Sequence, residues 1–371
     1  MSGWWNKQFF YFSQEELSIS DVELLKKFQY FFITGGRKTD TTYKFGLLKS
    51  ILDSLANIDF RAVDFRSDKI NKVIIPIDLL AAKFAESYWN IVAVYDLQQA
   101  RGSSAVVEKG INQTKERLRQ KLNVKRDVSV PFEKIEPKIK NELINFIKRK
   151  VFLDRGRTYV LGALCGDFDG CLYEFDKSKE YFALSLRAYK FLLNHKTFIE
   201  ECNYYWWAKF LENQNPKENT QSILKKLETS VPERKSLGIY KKLFAYYNYN
   251  TCFYCGKFLK PNEKSYHVDH FIPWSFIKED KLWNLVPSCN TCNQKIKRAF
   301  LAPRDKIEII EDRNDQLITS INKGILDENE SQNLIVKAKN DFSLYRPKLI
   351  KDLYGYAESS GYKSLDIVKH L

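Results

Sequence analysis

Apolar residues recur at helical steps through the first part of the chain. Phe45, Leu48, Leu52 and Leu55 form one stripe, and Ile77, Leu80, Phe84, Tyr88, Ile91 and Tyr95 form another. Spacings of three and four keep side chains on one face of a helix. From Val22 to about Val151 this pattern predicts a helical domain, 1–150, for recognition or assembly. The run Gly35-Gly36-Arg37-Lys38-Thr39 reads as the turn between two of its helices. Asp40, Thr41 or Thr42 is then placed to cap the second helix by accepting a backbone N–H bond. Ile111, Lys115, Leu118 and Leu122 predict a further amphipathic helix. Its Arg117, Arg119 and Lys121 lie off the buried stripe, which suits a solvated face and a nucleic-acid face equally.

The pattern changes at Arg157. Thr158 to Leu164 and Cys171 to Phe175 read as two short strands joined by the turn-like Gly166-Asp167-Phe168-Asp169-Gly170. Tyr181 to Leu211 then returns to helical spacing and carries Tyr204-Tyr205-Trp206-Trp207. Such a cluster can stack on extruded bases, although core packing accounts for it more simply. A small α+β and helical lobe is therefore expected over 151–248, with linker-like stretches at Asn213 to Asn219 and Tyr246 to Asn250. No internal repeat or low-complexity tract is present.

A chain of 371 residues holds two or three domains at roughly 150 residues each. Hydrophobic residues at 44% and aromatics at 15% are ample for sizeable cores and exclude wholesale disorder. The longest apolar stretches, such as Ile91 to Tyr95, are far shorter than the roughly 18 residues that cross a bilayer. No membrane span or signal peptide is expected, and the expected location is cytoplasmic. Sixty Lys plus Arg against forty-six Asp plus Glu leave a net charge of +14, which makes a polyanion the first partner to consider.

Spacing matters more than number among the seven cysteines. Cys252-Phe253-Tyr254-Cys255 and Cys289-Asn290-Thr291-Cys292 are two C-x-x-C pairs, the supply of four thiolates for one tetrahedral zinc ion. With all four positions filled by sulfur, such a zinc holds the fold and does no chemistry. Cys165, Cys171 and Cys202 lack this pairing and read as packed thiols.

Between the knuckles lies Tyr266-His267-Val268-Asp269-His270-Phe271-Ile272-Pro273, followed by Asn284 in Asn-Leu-Val-Pro and by Asn293 one residue past the last cysteine. This segment, about residues 250 to 303, resembles the HNH or ββα-metal nucleases. The steps of fifteen from Asp269 to Asn284 and nine from Asn284 to Asn293 are similar to those in the HNH domain of RNA-guided CRISPR effectors. The zinc pairs look like those of Mcr-type restriction and endonuclease VII-like members.

The resemblance implies a metal-dependent phosphodiester hydrolase. His270 is then the general base, since a neutral imidazole suits proton abstraction near neutral pH. Asp269 and Asn293 would hold Mg²⁺ or Mn²⁺ through hard oxygen ligands. Asn284 closes the connecting loop and helps orient the base. His267 is assigned a supporting or nucleic-acid contact, and Lys295, Lys297 and Arg298 are assigned phosphate contacts, Lys297 foremost because it shares the face of Asn293.

The expected fold is mainly α with a small α+β lobe. A zinc-stapled ββα-metal module at 249–303 is followed by a helical segment at 304–371. The expected function is a DNA endonuclease of restriction or anti-phage defence, with structured RNA as the alternative substrate and a non-catalytic zinc-stapled reader as the alternative class. A homo-oligomer or a defence-system partner stays open, since no P-loop sequence is present.

Overall fold

The computed structural model describes residues 19–34, 39–58, 72–102, 104–122, 130–154, 160–228, 237–260, 264–297, 300–322 and 332–365. They belong to two compact units, one drawn from residues 1–55, 61–192 and 198–233, the other from 56–60, 193–197 and 234–371. Residues 151–248 thus contribute to both. Residues 35–38 of the expected Gly35–Thr39 turn and residues 158–159 of the expected Thr158–Leu164 strand lie outside the described residues.

The first unit is mainly helical. It contains α1 (Ile19–Ile33), α2 (Tyr43–Ser54), α3 (Ile77–Trp89), α4 (Val106–Leu122) and α5 (Pro137–Ile147). After a small sheet come α6 (Leu186–Asn194) and α7 (Lys196–Gln214). The predicted stripes are the core: Phe45, Leu48, Leu52, Leu80, Phe84 and Tyr88 are fully buried. α2 approaches α3 closely because Gly46 has no Cβ; one placed there would sit 2.4 Å from the Tyr88 ring. Thr42 does stand at the N-cap of α2, but it makes no side-chain cap bond. Its hydroxyl turns inward to the Tyr88 hydroxyl at 2.8 Å and Gln99 Oε1 at 2.9 Å, because these buried polar groups need partners, while Thr41 Oγ1 accepts the Tyr43 amide at 3.4 Å.

On α4 the buried stripe is Val107, Ile111, Thr114 and Leu118, and Leu122 is exposed. Arg117 pairs with Glu142 at 2.6 Å, Arg119 with Glu116 at 3.6 Å, and Lys121 with Glu136. The basic side chains singled out from the sequence are thus matched by local acids on an exposed face.

The sheet order is β1–β3–β2, all antiparallel, with β1 at Lys72–Ile74, β2 at Tyr173–Asp176 and β3 at Tyr181–Ser185. Two expectations fail here. Residues 160–164 form turns, and Tyr181–Ser185 is a strand where helix was expected. Phe182, Ala183 and Leu184 are consecutively buried, and a short continuous apolar run fits a buried strand and a buried helix segment alike. The turn decides: Asp176 Oδ1 accepts from the Ser178 amide at 2.9 Å and its hydroxyl at 2.7 Å, folding β2 back onto β3.

The expected linker at Asn213–Asn219 is ordered as well. α7 runs to Gln214, and Asn215 donates to the carbonyls of Leu211 at 3.0 Å and Gln98 at 3.1 Å. Of the aromatic cluster, Tyr204 and Trp207 are buried whereas Tyr205 is exposed, as a helical repeat requires. Cys165, Cys171 and Cys202 are half-buried free thiols. No helix among the described residues is long and apolar enough to cross a membrane.

The second unit opens with α8 (Gly238–Tyr246). An antiparallel pair follows, β4 (Tyr266–His270) with β5 (Leu285–Cys289), registered Tyr266 to Cys289 and His270 to Leu285. The strands are joined through the short helix α9 (Trp274–Ile277), and β5 runs on into the π-helical α10 (Thr291–Lys297). Three helices complete it: α11 (Ile307–Asn322), α12 (Gln332–Phe342) and α13 (Leu349–Ser359).

Candidate active site and zinc centre

The two knuckles converge. The Sγ atoms of Cys252, Cys255, Cys289 and Cys292 all lie within 4.8 Å of one another. Four sulfurs at about 2.3 Å from a zinc ion would be separated by about 3.8 Å, and Cys255 and Cys289 stand 3.9 Å apart. The cluster therefore has the donor set and the size for one zinc. Local backbone explains how: Gly256 takes a φ of +72°, which lets its N–H reach the Cys252 carbonyl at 2.8 Å and closes the first knuckle. The second knuckle joins the end of β5 to the start of α10, and the Cys292 amide donates to Cys289 Sγ at 3.4 Å.

Asp269 and His270 end β4, where the chain leaves the ladder for a turn before Pro273. Side chains of successive residues alternate along a strand, so a site shared by both requires such an ending. Both are buried, Asp269 at 8% and His270 at 6% exposure. Asp269 Oδ2 accepts from the Tyr254 hydroxyl at 2.8 Å, and Oδ1 accepts from the His270 amide at 2.8 Å. Burial, and then the Asp269 carboxylate, push the Tyr254 phenol well above its ordinary value, so it stays a donor. Tyr254 lies between the zinc-ligand candidates Cys252 and Cys255, so the first knuckle reaches the carboxylate directly.

Asn284 is wholly buried and closes the loop between the strands. Its Oδ1 accepts from the Ile272 amide and its Nδ2 donates to the Ile272 carbonyl, both at 2.9 Å, while its own carbonyl accepts from the Phe271 amide at 2.7 Å. The imidazole has a different partner: His270 Nε2 lies 2.8 Å from Asp280 Oδ1. His267 is half-buried opposite Ser288. Asn293 is half-buried near the start of α10, a helix that packs against β4. Lys295 and Lys297 lie on α10, but their side chains, and Arg298 altogether, lie outside the described residues.

Three contributors escaped the sequence. Asp280 sits in the charged run Lys278-Glu279-Asp280-Lys281 and was not singled out. Neither was Tyr254, an inner residue of the first knuckle. Arg313 is buried on α11, donating to the Leu285 carbonyl at 2.6 Å and to Asn314 Oδ1 at 2.8 Å. Burial lowers its guanidinium to about 10. Asn314 in turn donates to the Trp283 carbonyl at 2.9 Å, and Asp341 of α12 accepts the Leu282 amide at 3.1 Å. The loop carrying Asn284 is thus gripped from outside by two helices. For Arg313 and Asn314 a signal existed: they lie three and four residues after Ile310 and so fall on the buried stripe of α11.

Residues 252–301 match the family model described as HNH endonuclease, and residues 32–150 match one described as a domain of unknown function (DUF8808). No curated protein and no solved structure matches the chain.

Proposed function

Because residues 252–301 are an HNH endonuclease segment with a four-cysteine cluster fit for zinc, we propose that the protein is a divalent-metal-dependent endonuclease that hydrolyses DNA. The observation that carries this reading is the burial of Asp269 and His270 together at the end of β4 within that segment.

Each residue has a stated task. His270 takes the proton of the attacking water. The new oxygen–phosphorus bond forms as the bond from phosphorus to the 3′ oxygen breaks, and the departing oxygen takes up a proton from solvent. Asp269 supplies the hard carboxylate oxygens that suit a divalent cation, buried at the end of β4. Asn293 would add an amide oxygen. A divalent ion held there, Mg²⁺ or Mn²⁺, supplies charge neutralisation at the scissile phosphate and the departing oxygen. Asn284 keeps the loop closed, and His267, Lys295, Lys297 and Arg298 are assigned to the nucleic-acid backbone. The zinc holds the knuckles. Restriction or anti-phage defence in the cytoplasm is the setting we assign, with DNA as the partner; it rests on the restriction-type pattern of the knuckles.

The test is direct. Purified protein is incubated with unmodified plasmid, modified phage DNA and tRNA, with Mg²⁺ or with EDTA, and the ends are mapped. Metal-dependent DNA cleavage is expected; cleavage of tRNA alone would move the substrate to RNA. His270→Ala should lower the rate by at least about 10²-fold while DNA binding persists. Asp269→Ala should lose activity that added Mg²⁺ partly restores. Wild-type cutting by His270→Ala would show that the base has been assigned to the wrong residue.

A further inference from the structure

The imidazole of His270 is not held by Asn284, whose side chain is fully engaged with the Ile272 backbone. It is held by a carboxylate. His270 Nε2 and Asp280 Oδ1 are 2.8 Å apart, with side chains 7% and 11% exposed. An ionised carboxylate only accepts hydrogen bonds, so Nε2 carries the proton of this contact. In the neutral ring that leaves the lone pair on Nδ1.

We propose that Asp280 is the positioning residue of the nuclease histidine: it fixes the tautomer that presents Nδ1 as the base and stabilises the imidazolium formed when Nδ1 takes a proton. This rests on the assignment of His270 as general base. The stabilisation grows as positive charge develops on the ring, so it lowers the barrier more than it strengthens substrate binding. Near-complete burial of both side chains strengthens the interaction relative to one in water.

The backbone that carries this carboxylate is itself held. The Asp280 carbonyl accepts from the Tyr240 hydroxyl at 2.7 Å, with Tyr240 buried on α8. Two residues on, Asp341 Oδ2 takes the Leu282 amide. On the other side of the loop, Lys196 donates to the Phe276 carbonyl. All three holders lie outside residues 252–301, so the partner of the base is delivered by parts of the chain that the HNH segment does not include.

The experiment uses the full-length, zinc-loaded protein with ¹⁵N-labelled histidine. Only four histidines are present, and the His270 resonances are assigned by their loss in His270→Ala. The wild type should show the proton on Nε2. Asp280→Asn keeps the shape but lets an amide N–H face Nε2, and the proton should move to Nδ1. Asp280→Ala should give a mixture. In steady-state cleavage both variants should lose at least about 10²-fold in kcat, with KM for DNA within about threefold of wild type. A purely structural role would instead change the far-UV spectrum or zinc content of Asp280→Asn.

Either of two results overturns the proposal alone: His270→Ala inactive while both Asp280 variants cut at the wild-type rate, or a wild-type proton on Nδ1. If His270→Ala itself cuts normally, the assignment of the base fails and the proposal fails with it.

Discussion

Asn284→Asp separates the two hydrogen bonds that close the loop between β4 and β5. In the wild type, Oδ1 accepts the Ile272 amide and Nδ2 donates to the Ile272 carbonyl, at 2.9 Å each and with no exposure of the side chain. The substitution keeps the acceptor and puts a second oxygen against a carbonyl. An ionised carboxyl would be repelled and desolvated there, whereas a protonated one donates to the carbonyl and restores the wild-type pattern. The folded state therefore binds a proton that the unfolded state, with a pKa of about 3.9, releases at neutral pH. At pH 7 holding that proton costs up to about 4 kcal/mol.

The sign follows from linkage. The introduced carboxyl has a raised folded pKa, so its stability deficit is largest at high pH and shrinks as pH falls. The slope relative to wild type should be about 1.4 kcal/mol per pH unit from pH 7 down towards 4.5. Asn284→Ala, which leaves two buried backbone groups unpaired, should cost about 2–6 kcal/mol with no such slope relative to wild type. Urea unfolding at several pH values gives both numbers, and amide exchange in the 266–277 peptide reports the loop itself. A difference between Asn284→Asp and wild type that is flat in pH, or smaller than about 1 kcal/mol at pH 7, would refute the reasoning.

Three further outcomes are expected. Elemental analysis should return one zinc per chain, and Cys289→Ser should lower the melting temperature and the zinc content together, because all four Sγ atoms converge within 4.8 Å. Gly46→Val should destabilise the first unit by about 1–3 kcal/mol or more in thermal unfolding, since even a Cβ meets the Tyr88 and Phe84 rings under 3.0 Å. Arg313→Lys, although it conserves charge, should cost about 1.5–3 kcal/mol in urea unfolding, because a lysine cannot reach both the Leu285 carbonyl and Asn314 Oδ1 as a planar fork does.

What was legible in the sequence was whatever a local rule encodes. The C-x-x-C spacings brought four sulfurs together, and the stripes from Phe45 to Leu55 and Ile77 to Tyr88 became buried helix faces. Asn284 bonds the Ile272 backbone with both ends of its amide and leaves the His270 imidazole to Asp280. Failures came where long-range context overrides local pattern. Tyr181–Ser185 carries three consecutive buried residues that fit helix or strand, and the Asp176 turn decided between them. Of the cap candidates Asp40, Thr41 and Thr42, Thr41 accepts the Tyr43 amide at 3.4 Å, whereas the Thr42 hydroxyl was claimed by Tyr88, forty-six residues away. Asp280 was not singled out, since nothing local shows that a histidine ten residues earlier folds back onto it.

The four-cysteine cluster and the proposed nuclease site are therefore parts of one hydrogen-bonded assembly. Tyr254, fixed between Cys252 and Cys255, donates to the same carboxylate that would bind the catalytic cation. The knuckle also docks on β5, where the Phe253 amide donates to the Pro287 carbonyl at 2.9 Å; Pro287 itself has no amide to offer the ladder. Loosening the knuckle would free Tyr254 and so release one oxygen of Asp269, even though zinc touches neither water nor phosphate. At the opposite end, Arg313, Asn314 and Asp341 hold Leu282 to Leu285, and Tyr240 holds Asp280. Two independent supports thus fix the two groups to which we assign the chemistry, the knuckle for Asp269 and the flanking helices for His270. A change in the flanking helices should then reach catalysis through the histidine while leaving the response to Mg²⁺ intact, and a change in the knuckle should do the reverse.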